Sequence, residues 1–446
     1  MHSTHRKRIA VVGSGIAGLG AAWLLQRRHA VTLFERNDYL GGHTHTLDVA
    51  SESKSIAVDT GFMVFNRPNY PLLSALFDYL GVQTYATSMT FSASIDAGAI
   101  EYAGTNLDTL FAQRANLVKP RYWKMLGDIV RFNRAANAAV TNGLRGEPSL
   151  GEWLDWHRFG PDFRAHYLLP MAAAIWSCPT AQIVAFPAAS FLRFFANHGL
   201  IKLRDRPQWQ TVVGGSRSYV AKLRAQCRAR FILDNPAHAV MRDRRGVTVT
   251  TRDGETHVFD AVVLACHADE ALRLLSDASA DERAVLGAFH FQPNRTWLHR
   301  DPHLMPKRRK VWASWNYLSN PGTEGDSAVS VTYWMNALQA LDSTQNHFVS
   351  LNPQTPPRDE FVDAVMTYEH PVFDRAALRA QRELKRVQGV ANTWFAGAWT
   401  GYGFHEDGLR SAVEVGRALG VAPPWNQASI AASRALIDVA DAGALA

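Results

Sequence analysis

Short apolar runs alternate with glycine-rich turns at the start of the chain. Residues 8–12 form a mostly apolar run typical of a buried strand, glycines then open a helix at 16–28, and a second strand follows at 31–35. A strand, a helix and a second strand in this order predict a βαβ unit with parallel strands. The chain is therefore expected to begin with part of a parallel sheet covered by a helix.

The same pattern returns later, after two long regions of different character. Residues 66–209 and 286–384 are rich in Trp, Phe and Tyr, and the first of these regions has a helical pattern. The segments in which the α/β pattern returns are a helix at 216–228, a hairpin at 246–259, strands at 261–265 and 393–397, and a helix at 408–419.

We therefore predict an α/β fold in which a Rossmann-like domain is interrupted by two insertions that form an α+β substrate domain. The predicted boundaries are 6–65, 210–285 and 386–422 for the nucleotide-binding domain, 66–209 and 286–385 for the substrate-binding domain, and 423–446 for a C-terminal tail.

Composition narrows the class of protein. The chain has 446 residues, of which 47% are hydrophobic and 20% are charged, as expected for a globular enzyme of two domains. Its cysteines, Cys178, Cys227 and Cys266, are far apart, so we expect no disulfide scaffold, no metal site and a reducing cytoplasm. The oligomeric state stays open.

The net charge of +7 leaves two interpretations of the surface. It indicates either a basic solvated surface or attraction to anionic lipid at the inner face of a membrane, as a peripheral protein. The densest basic run is Lys307 to Lys310. No nucleic-acid-binding motif accompanies the charge, so we expect no nucleic acid partner.

A glycine motif identifies the first loop as a phosphate-binding turn. Gly13 permits a tight turn, Gly15 allows a pyrophosphate to approach the backbone, and Gly18 allows close packing of helix on strand. The residues between them, Ile16 and Ala17, begin the helix whose free N–H groups favour phosphate.

An acidic residue in the expected place completes the motif. Glu35 ends the second strand, 17 residues beyond Gly18, where a carboxylate accepts hydrogen bonds from the ribose hydroxyls of a dinucleotide. We include the following residue, Arg36, in the predicted cofactor site.

The segment after Glu35 adds a second glycine pair, Gly41 and Gly42, followed by His43 and Thr44. At this point the chain resembles the flavin-containing amine oxidoreductase superfamily, which also includes carotenoid desaturases and protoporphyrinogen oxidases. The resemblance implies an FAD-binding domain of the amine-oxidase or glutathione-reductase type, with the glycine pair at the FAD pyrophosphate. His43 stands where the family commonly has Arg.

Further stretches match the family in order. Val213 to Ser216 resembles its central glycine pair, and Val240 stands in the segment whose backbone meets adenine. The remaining predicted flavin contacts are Gly397 and Ala398 after the last strand, and Gly408 and Leu409 in the last helix. A helix N-terminus there would stabilise reduced flavin, which is anionic. Because no cysteine follows Cys266, the resemblance implies non-covalent FAD.

Aromatic residues of the second insertion are candidates for the wall of the substrate cavity, although they are equally typical of ordinary sheet core. These residues are Trp312, Trp315, Tyr317, Tyr333 and Trp334. Together with the Gly401–Gly408 segment, this region resembles a bacterial branch of the family that is similar to fatty acid isomerases. The resemblance implies an unsaturated or methyl-branched acyl chain as the substrate.

Candidate catalytic groups are fewer. His405 and Glu406 precede the predicted last helix and are expected near the flavin as a base or proton relay, or as capping groups. His299, with Asp301, is a candidate for proton transfer or for a structural turn.

We therefore predict an FAD-dependent oxidoreductase that desaturates, oxidises or isomerises a fatty acyl chain by hydride transfer to flavin N5. The alternatives are an amine oxidase acting on a small amine or polyamine, which an acidic cage would favour, and a non-catalytic flavin-binding protein.

Overall fold

A computed structural model describes residues 6–51, 54–176, 178–202, 206–320 and 330–425. Its strands are β1 (Arg8–Val12), β2 (Ala30–Phe34), β3 (Thr46–Ser51), β4 (Lys54–Asp59), β5 (Phe65–Asn66), β6 (Thr84–Thr87), β7 (Phe91–Ile95), β8 (Ile100–Ala103), β9 (Trp209–Val212), β10 (Arg230–Ile232), β11 (Ala237–Asp243), β12 (Gly246–Thr251), β13 (Thr256–Phe259), β14 (Ala261–Leu264), β15 (His290–His299), β16 (Trp315–Leu318), β17 (Ser330–Trp334), β18 (Phe348–Leu351), β19 (Val362–Val372) and β20 (Thr393–Phe395).

Its α-helices are α1 (Ile16–Leu25), α2 (Pro71–Leu80), α3 (Leu107–Leu110), α4 (Pro120–Asn142), α5 (Leu150–Trp156), α6 (Pro161–Phe163), α7 (Leu169–Trp176), α8 (Thr180–Ala185), α9 (Ala188–Asn197), α10 (Arg217–Gln226), α11 (Ala268–Leu274), α12 (Ala280–Leu286), α13 (Met335–Leu338), α14 (Arg375–Glu383) and α15 (His405–Ala418). Within the described residues, no helix has both the length and the apolar character needed to cross a bilayer.

A five-stranded parallel sheet forms the nucleotide-binding half of the molecule. Its strand order is β10-β2-β1-β14-β20, so strands from the beginning, middle and end of the chain lie side by side. The apolar runs that predicted these strands are buried on both faces, as parallel strands covered by helices are. The predicted α/β class and parallel sheet are confirmed.

The parallel sheet is covered on one side by α1 and α15. These two helices pack against each other, and every residue of α1 is buried. On the other side lies the three-stranded sheet β11-β12-β13, which contains the hairpin expected at 246–259.

A seven-stranded mixed sheet forms the other half. Its order is β19-β15-β18-β17-β16-β7-β8, and it combines strands from both aromatic-rich regions of the sequence. Helices α4 to α9 form an aromatic core against one end of this sheet. This half combines α-helices and a mixed sheet, as predicted for the α+β part of the fold that the two insertions form.

A further three-stranded sheet lies between the two halves: Phe65 and Val212 belong to the core around α1, whereas Thr87 hydrogen-bonds the carbonyl of Leu338. Strand β9 lies between β5 and β6, in the order β5-β9-β6. Two of the boundaries predicted from the sequence, near residues 65 and 210, fall within this sheet. The exact division into domains remains a prediction, and most of the predicted tail, residues 426–446, lies outside the described residues.

Candidate functional site

A cavity of about 1360 Å³ lies between the parallel sheet and the mixed sheet. It is larger than the roughly 300–1,000 Å³ of an ordinary ligand pocket, so there is room for an extended cofactor and a further ligand. One part is lined by the glycine loops, and the other part is lined by aromatic and aliphatic side chains of the mixed sheet and helices α7 and α9.

The part of the cavity that contains the glycine loops lies at the carboxyl ends of the parallel strands. Most of the predicted cofactor residues line it: Gly13, Gly15, Ile16, Ala17, Glu35, Arg36, Gly41, Gly42, His43, Gly397 and Ala398. The structure thus brings together residues up to 385 positions apart in the chain, because β1, β2 and β20 end at one edge of the sheet.

Two glycine loops face each other across this edge. Gly13 and Gly42 both have positive φ angles, of 101° and 59°, which favour glycine. A Cβ on Gly42 would come within 3.1 Å of the Cα of Gly15, whereas a Cβ on Gly15 would meet no atom within 4 Å. The space in front of Gly15 is therefore open to a ligand.

The acidic residue of the motif is fixed by its neighbours. The buried carboxylate of Glu35 accepts hydrogen bonds from the backbone N–H groups of Ser14, at 2.8 Å, and Asn37, at 2.9 Å. Because a carboxylate has about four acceptor sites, Glu35 can still accept a hydroxyl donor from a ribose.

A buried nitrogen without a hydrogen-bond partner also indicates that a ligand binds in this part of the cavity. Nε2 of His43 makes no hydrogen bond among the described residues, although the ring lines the cavity. Burial and the neighbouring His370 hold the pKa of His43 well below its usual range, so its ring is neutral. An unpaired buried nitrogen is costly unless a ligand completes it, and the residues present fit an FAD pyrophosphate.

Five predicted cofactor residues do not line the cavity. Gly18 is buried in the first turn of α1, where an added Cβ would come within 1.9 Å of the carbonyl oxygen of Gly13. Gly408 and Leu409 pack α15 against α1, and Thr44 hydrogen-bonds His405. Val240 is completely buried, and the cavity is lined instead by the preceding residues Pro236, Ala237 and His238.

His405 lies in the wall of the cavity, within the first turn of α15. The helix begins three residues earlier than the sequence predicts, because the carboxylate of Asp407 accepts the backbone N–H of Phe404 at 3.0 Å and caps the helix. Nε2 of His405 lies 2.9 Å from the hydroxyl oxygen of Thr44 and 3.1 Å from that of Tyr219.

The environment of His405 fixes its charge. Its ring stacks on Phe62 with the centroids 3.7 Å apart, and burial lowers its pKa to about 3. A neutral ring held by two hydroxyl groups can relay a proton between them, but with so low a pKa it is a weak base and is not a cationic acid near neutral pH.

Glu406 points away from the cavity. Its carboxylate accepts the backbone N–H groups of Leu72 and Leu73, at 2.9 and 3.0 Å, and so caps the start of α2. Burial raises the pKa of Glu406 to about 7, and the two backbone hydrogen bonds oppose this shift. The structure therefore favours the capping interpretation over a catalytic role.

His299 also lies away from the cavity lining, at the end of β15. Its Nδ1 accepts the backbone N–H of Asp301 at 3.1 Å, so Nε2 carries the proton and donates to Ser350 at 2.8 Å. The carboxylate of Asp301 instead contacts His303 and Arg358. The geometry corresponds to a structural turn.

Some of the predicted wall residues line the cavity and others do not. Trp315 and Tyr333 line the cavity with their rings parallel, 6.3 Å apart, whereas Tyr317 does not reach it. Trp312 and Trp334 pack against each other beneath the guanidinium of Arg309, in a cation–π cluster outside the lining.

Most of the apolar lining was not predicted from the sequence. It lies on helices α7 and α9 and at strand ends that no motif marks, and includes Met89, Phe91, Met171, Ile175, Trp176 and Phe194. Burying apolar residues on a helix is ordinary, so the sequence contains no signal that separates these positions from the core.

We predict that His299→Gln will reduce the pH dependence of stability without loss of bound cofactor. Burial lowers the pKa of His299 to about 4, below its ordinary value of 6.5. As the pH falls through this interval, the unfolded chain gains a proton that the folded chain does not, so the wild type loses stability from pH 6.5 down to 4. The slope should be shallower in the variant by up to about 1.4 kcal/mol per pH unit.

Urea unfolding of both proteins at pH 7 and pH 5 measures this difference. Equal slopes would show that His299 is not buried as a neutral ring, and loss of cofactor would place it in the site.

Replacement of Gly15 and Gly18 should separate cofactor binding from folding. Gly15→Leu fills open space, so the apoprotein should unfold at the wild-type denaturant concentration but retain little FAD, seen as loss of flavin absorbance. Gly18→Ala forces a methyl group against the backbone of Gly13, so it should destabilise the apoprotein itself, by about 1–3 kcal/mol. Full flavin occupancy in Gly15→Leu would mean that the loop does not face the cofactor.

Comparison with known proteins agrees with the geometry. The family model for flavin containing amine oxidoreductases matches residues 16–419. The Mycobacterium tuberculosis protein AofH, whose name assigns it to the flavin-containing monoamine oxidases, is 29% identical over 269 residues. That match covers 57% of this chain and 56% of AofH, so it spans little more than half of the relative's length.

Two solved structures share the fold over nearly the whole chain. The CLA-producing fatty acid isomerase from P. acnes has a TM-score of 0.66 and 17% identity, covering 94% of this chain and all of that protein. The cyclohexylamine oxidase from Brevibacterium oxydans has a TM-score of 0.64 and 15% identity, covering 93% and 100%. The chain belongs to the flavin-containing amine oxidoreductase family.

Proposed function

We propose that this enzyme acts on a fatty acyl chain with a free carboxylate, which it desaturates, oxidises or isomerises. One observation carries the proposal: the described residues that line the apolar part of the cavity include a cation, Arg206, but no carboxylate. An acid would be attracted to this part, whereas a protonated amine or polyamine would find no opposite charge there.

Two of the three carboxylates in the lining belong to the nucleotide-binding half, and the third, Glu369 on β19 of the mixed sheet, clusters with His267 and Glu270 of that half. Glu35 is fixed by the phosphate loop, Glu270 forms an ion pair with Arg36 at 2.8 Å, and Glu369 lies 3.5 Å from His267. These groups therefore do not form an acidic cage around a substrate.

Arg206 stands at a mouth of the apolar part. It is exposed, and it lies close enough to Tyr167 to oppose the rise in the pKa of that phenol caused by burial. Gly104 and Thr105 are also exposed and line the cavity. A carboxylate held by Arg206 would leave the hydrocarbon chain to enter among Tyr167, Met171 and their apolar neighbours, where burial of each CH₂ contributes about 0.8 kcal/mol.

In the proposed reaction the protein side chains have few chemical roles. When bound, FAD supplies a two-electron acceptor for a hydride from the acyl chain. The protein contributes a dry apolar channel that positions one carbon of the chain. The neutral His405, with Thr44 and Tyr219, supplies the polar group of the lining best placed to hold or pass on a proton.

Product analysis distinguishes the two substrate classes. The holoenzyme is incubated with C18 unsaturated fatty acids and, separately, with monoamines and diamines, and products are identified by mass spectrometry. We expect a fatty acid with a moved or additional double bond, or an oxygenated chain. Release of aldehyde and ammonia from an amine, with fatty acids unchanged, would contradict the proposal and indicate an amine oxidase.

The role of Arg206 gives a sharper prediction. Arg206→Gln should raise KM for the free acid by about tenfold or more, because a charge-assisted hydrogen bond contributes about 1.5–3 kcal/mol, and should change kcat little. The methyl ester of the same acid is the matched control, and its KM should be equal in both proteins. Equal KM values for the free acid would remove Arg206 from the substrate site.

A further inference from the structure

An apolar surface is exposed beside this mouth of the cavity. Val118 is 83% exposed, Leu107 75%, Trp123 52% and Leu117 46%. We call these four residues the α3–α4 face, since they lie on α3, on the start of α4 and on the 3-10 helix between them, at Arg114–Val118. Large apolar side chains grouped in this way often mark an interaction site.

The α3–α4 face is held in place by the core beneath it. The indole N–H of Trp123 donates to the carbonyl of Leu117 at 2.9 Å, and its ring packs against Phe111 with centroids 5.2 Å apart. The hydroxyl of Tyr122 donates to the carbonyl of Leu110 at 2.6 Å. The exposed side chains therefore project from an ordered support.

Lysines flank the face. Lys119 and Lys124 are exposed, and no ion pair joins either of them to a carboxylate of the described residues, although Lys124 lines a small pocket with Asp128 and Asp162. By contrast, Arg121 on the same helix is paired with Asp162. The face thus combines apolar side chains with cations that are free to meet an anionic surface.

The basic run at Lys307 to Lys310 is less available than its sequence indicates. Arg308 forms an ion pair with the buried Glu101 at 2.7 Å, and Arg309 lies over Trp312. Lys310 is paired with Asp108, which lies on α3 itself. This run therefore contributes to the structure beneath the α3–α4 face.

We propose that the α3–α4 face docks on the surface of an anionic lipid bilayer. Trp favours the boundary between headgroups and hydrocarbon, and lysines are attracted to anionic headgroups. Gly104 and Thr105, which line the cavity, immediately precede the helix cap at Asn106. Docking would therefore place this mouth of the cavity against lipid, and the proposal does not depend on which substrate is used.

A second copy of this chain fits the face less well. A symmetric pair brings the same patch of each copy together. Lys119 and Lys124 of the two copies would then lie close to each other without carboxylates to compensate them. An anionic bilayer supplies the opposite charge that a second copy lacks.

Vesicle co-sedimentation of the holoenzyme tests the proposal. We expect binding to vesicles containing phosphatidylglycerol and little binding to pure phosphatidylcholine. Lys119→Gln with Lys124→Gln should weaken binding at least about tenfold, since each charge near such a surface contributes about 1 kcal/mol. Leu107→Ser with Val118→Ser should weaken it to a similar degree, because these side chains are exposed and their replacement removes only the apolar insertion.

The matched control is Met241→Ser with Val258→Ser, which removes two half-exposed apolar side chains from the sheet β11-β12-β13. This protein should bind vesicles as the wild type does, and FAD content should be equal in all variants. Failure of the wild type to bind anionic vesicles would overturn the proposal, as would equal binding by the α3–α4 variants. Sedimentation velocity provides the competing outcome: a wild-type dimer that these variants convert to monomer would make the face an interface between copies.

Discussion

The close approach of helices α1 and α15 brings the first and last segments of the cofactor site together. A Cβ on Gly20 would come within 3.0 Å of Leu409, and a Cβ on Gly408 within 2.8 Å of Ile16. Glycine at both positions lets the first and last helices of the fold lie nearly in backbone contact. Their N-termini therefore open onto the same cavity, although they are separated by almost the whole chain.

The parts of the site that depend on local spacing could be predicted from the sequence. The spacing of Gly13, Gly15 and Gly18 directly encodes a turn, an open approach and a close contact, and each glycine has that environment in the structure. Positions that depend on register were harder to predict. Val240 is buried in β11, whereas Ala237, at the start of the strand beside a shift of register, lines the cavity.

Because side chains point alternately to the two faces of a strand, consecutive aromatic residues cannot all line one cavity. Tyr333 and Trp334 are consecutive residues of β17, so their side chains point to opposite faces and only one can line the cavity. That constraint was visible in the sequence. The partner of Trp334 was not, because Arg309 lies 25 residues earlier in the sequence and meets Trp334 only through tertiary packing, whereas its contact with Trp312 is local. The apolar lining from α7 and α9 could not be predicted either, because buried apolar residues on a helix look alike in sequence whether they face the core or a cavity.

The small sheet β5-β9-β6 has a consequence for the timing of the reaction cycle. Its backbone hydrogen bonds join strands on both sides of the place where the two halves meet, so a hinge there would have to break them. Opening of the whole cleft is therefore expected to be slow and rare compared with side-chain motion. A ligand of the cavity is then expected to enter and leave through an opening such as that at Gly104 and Thr105, where its length and stiffness would affect the rate of exchange.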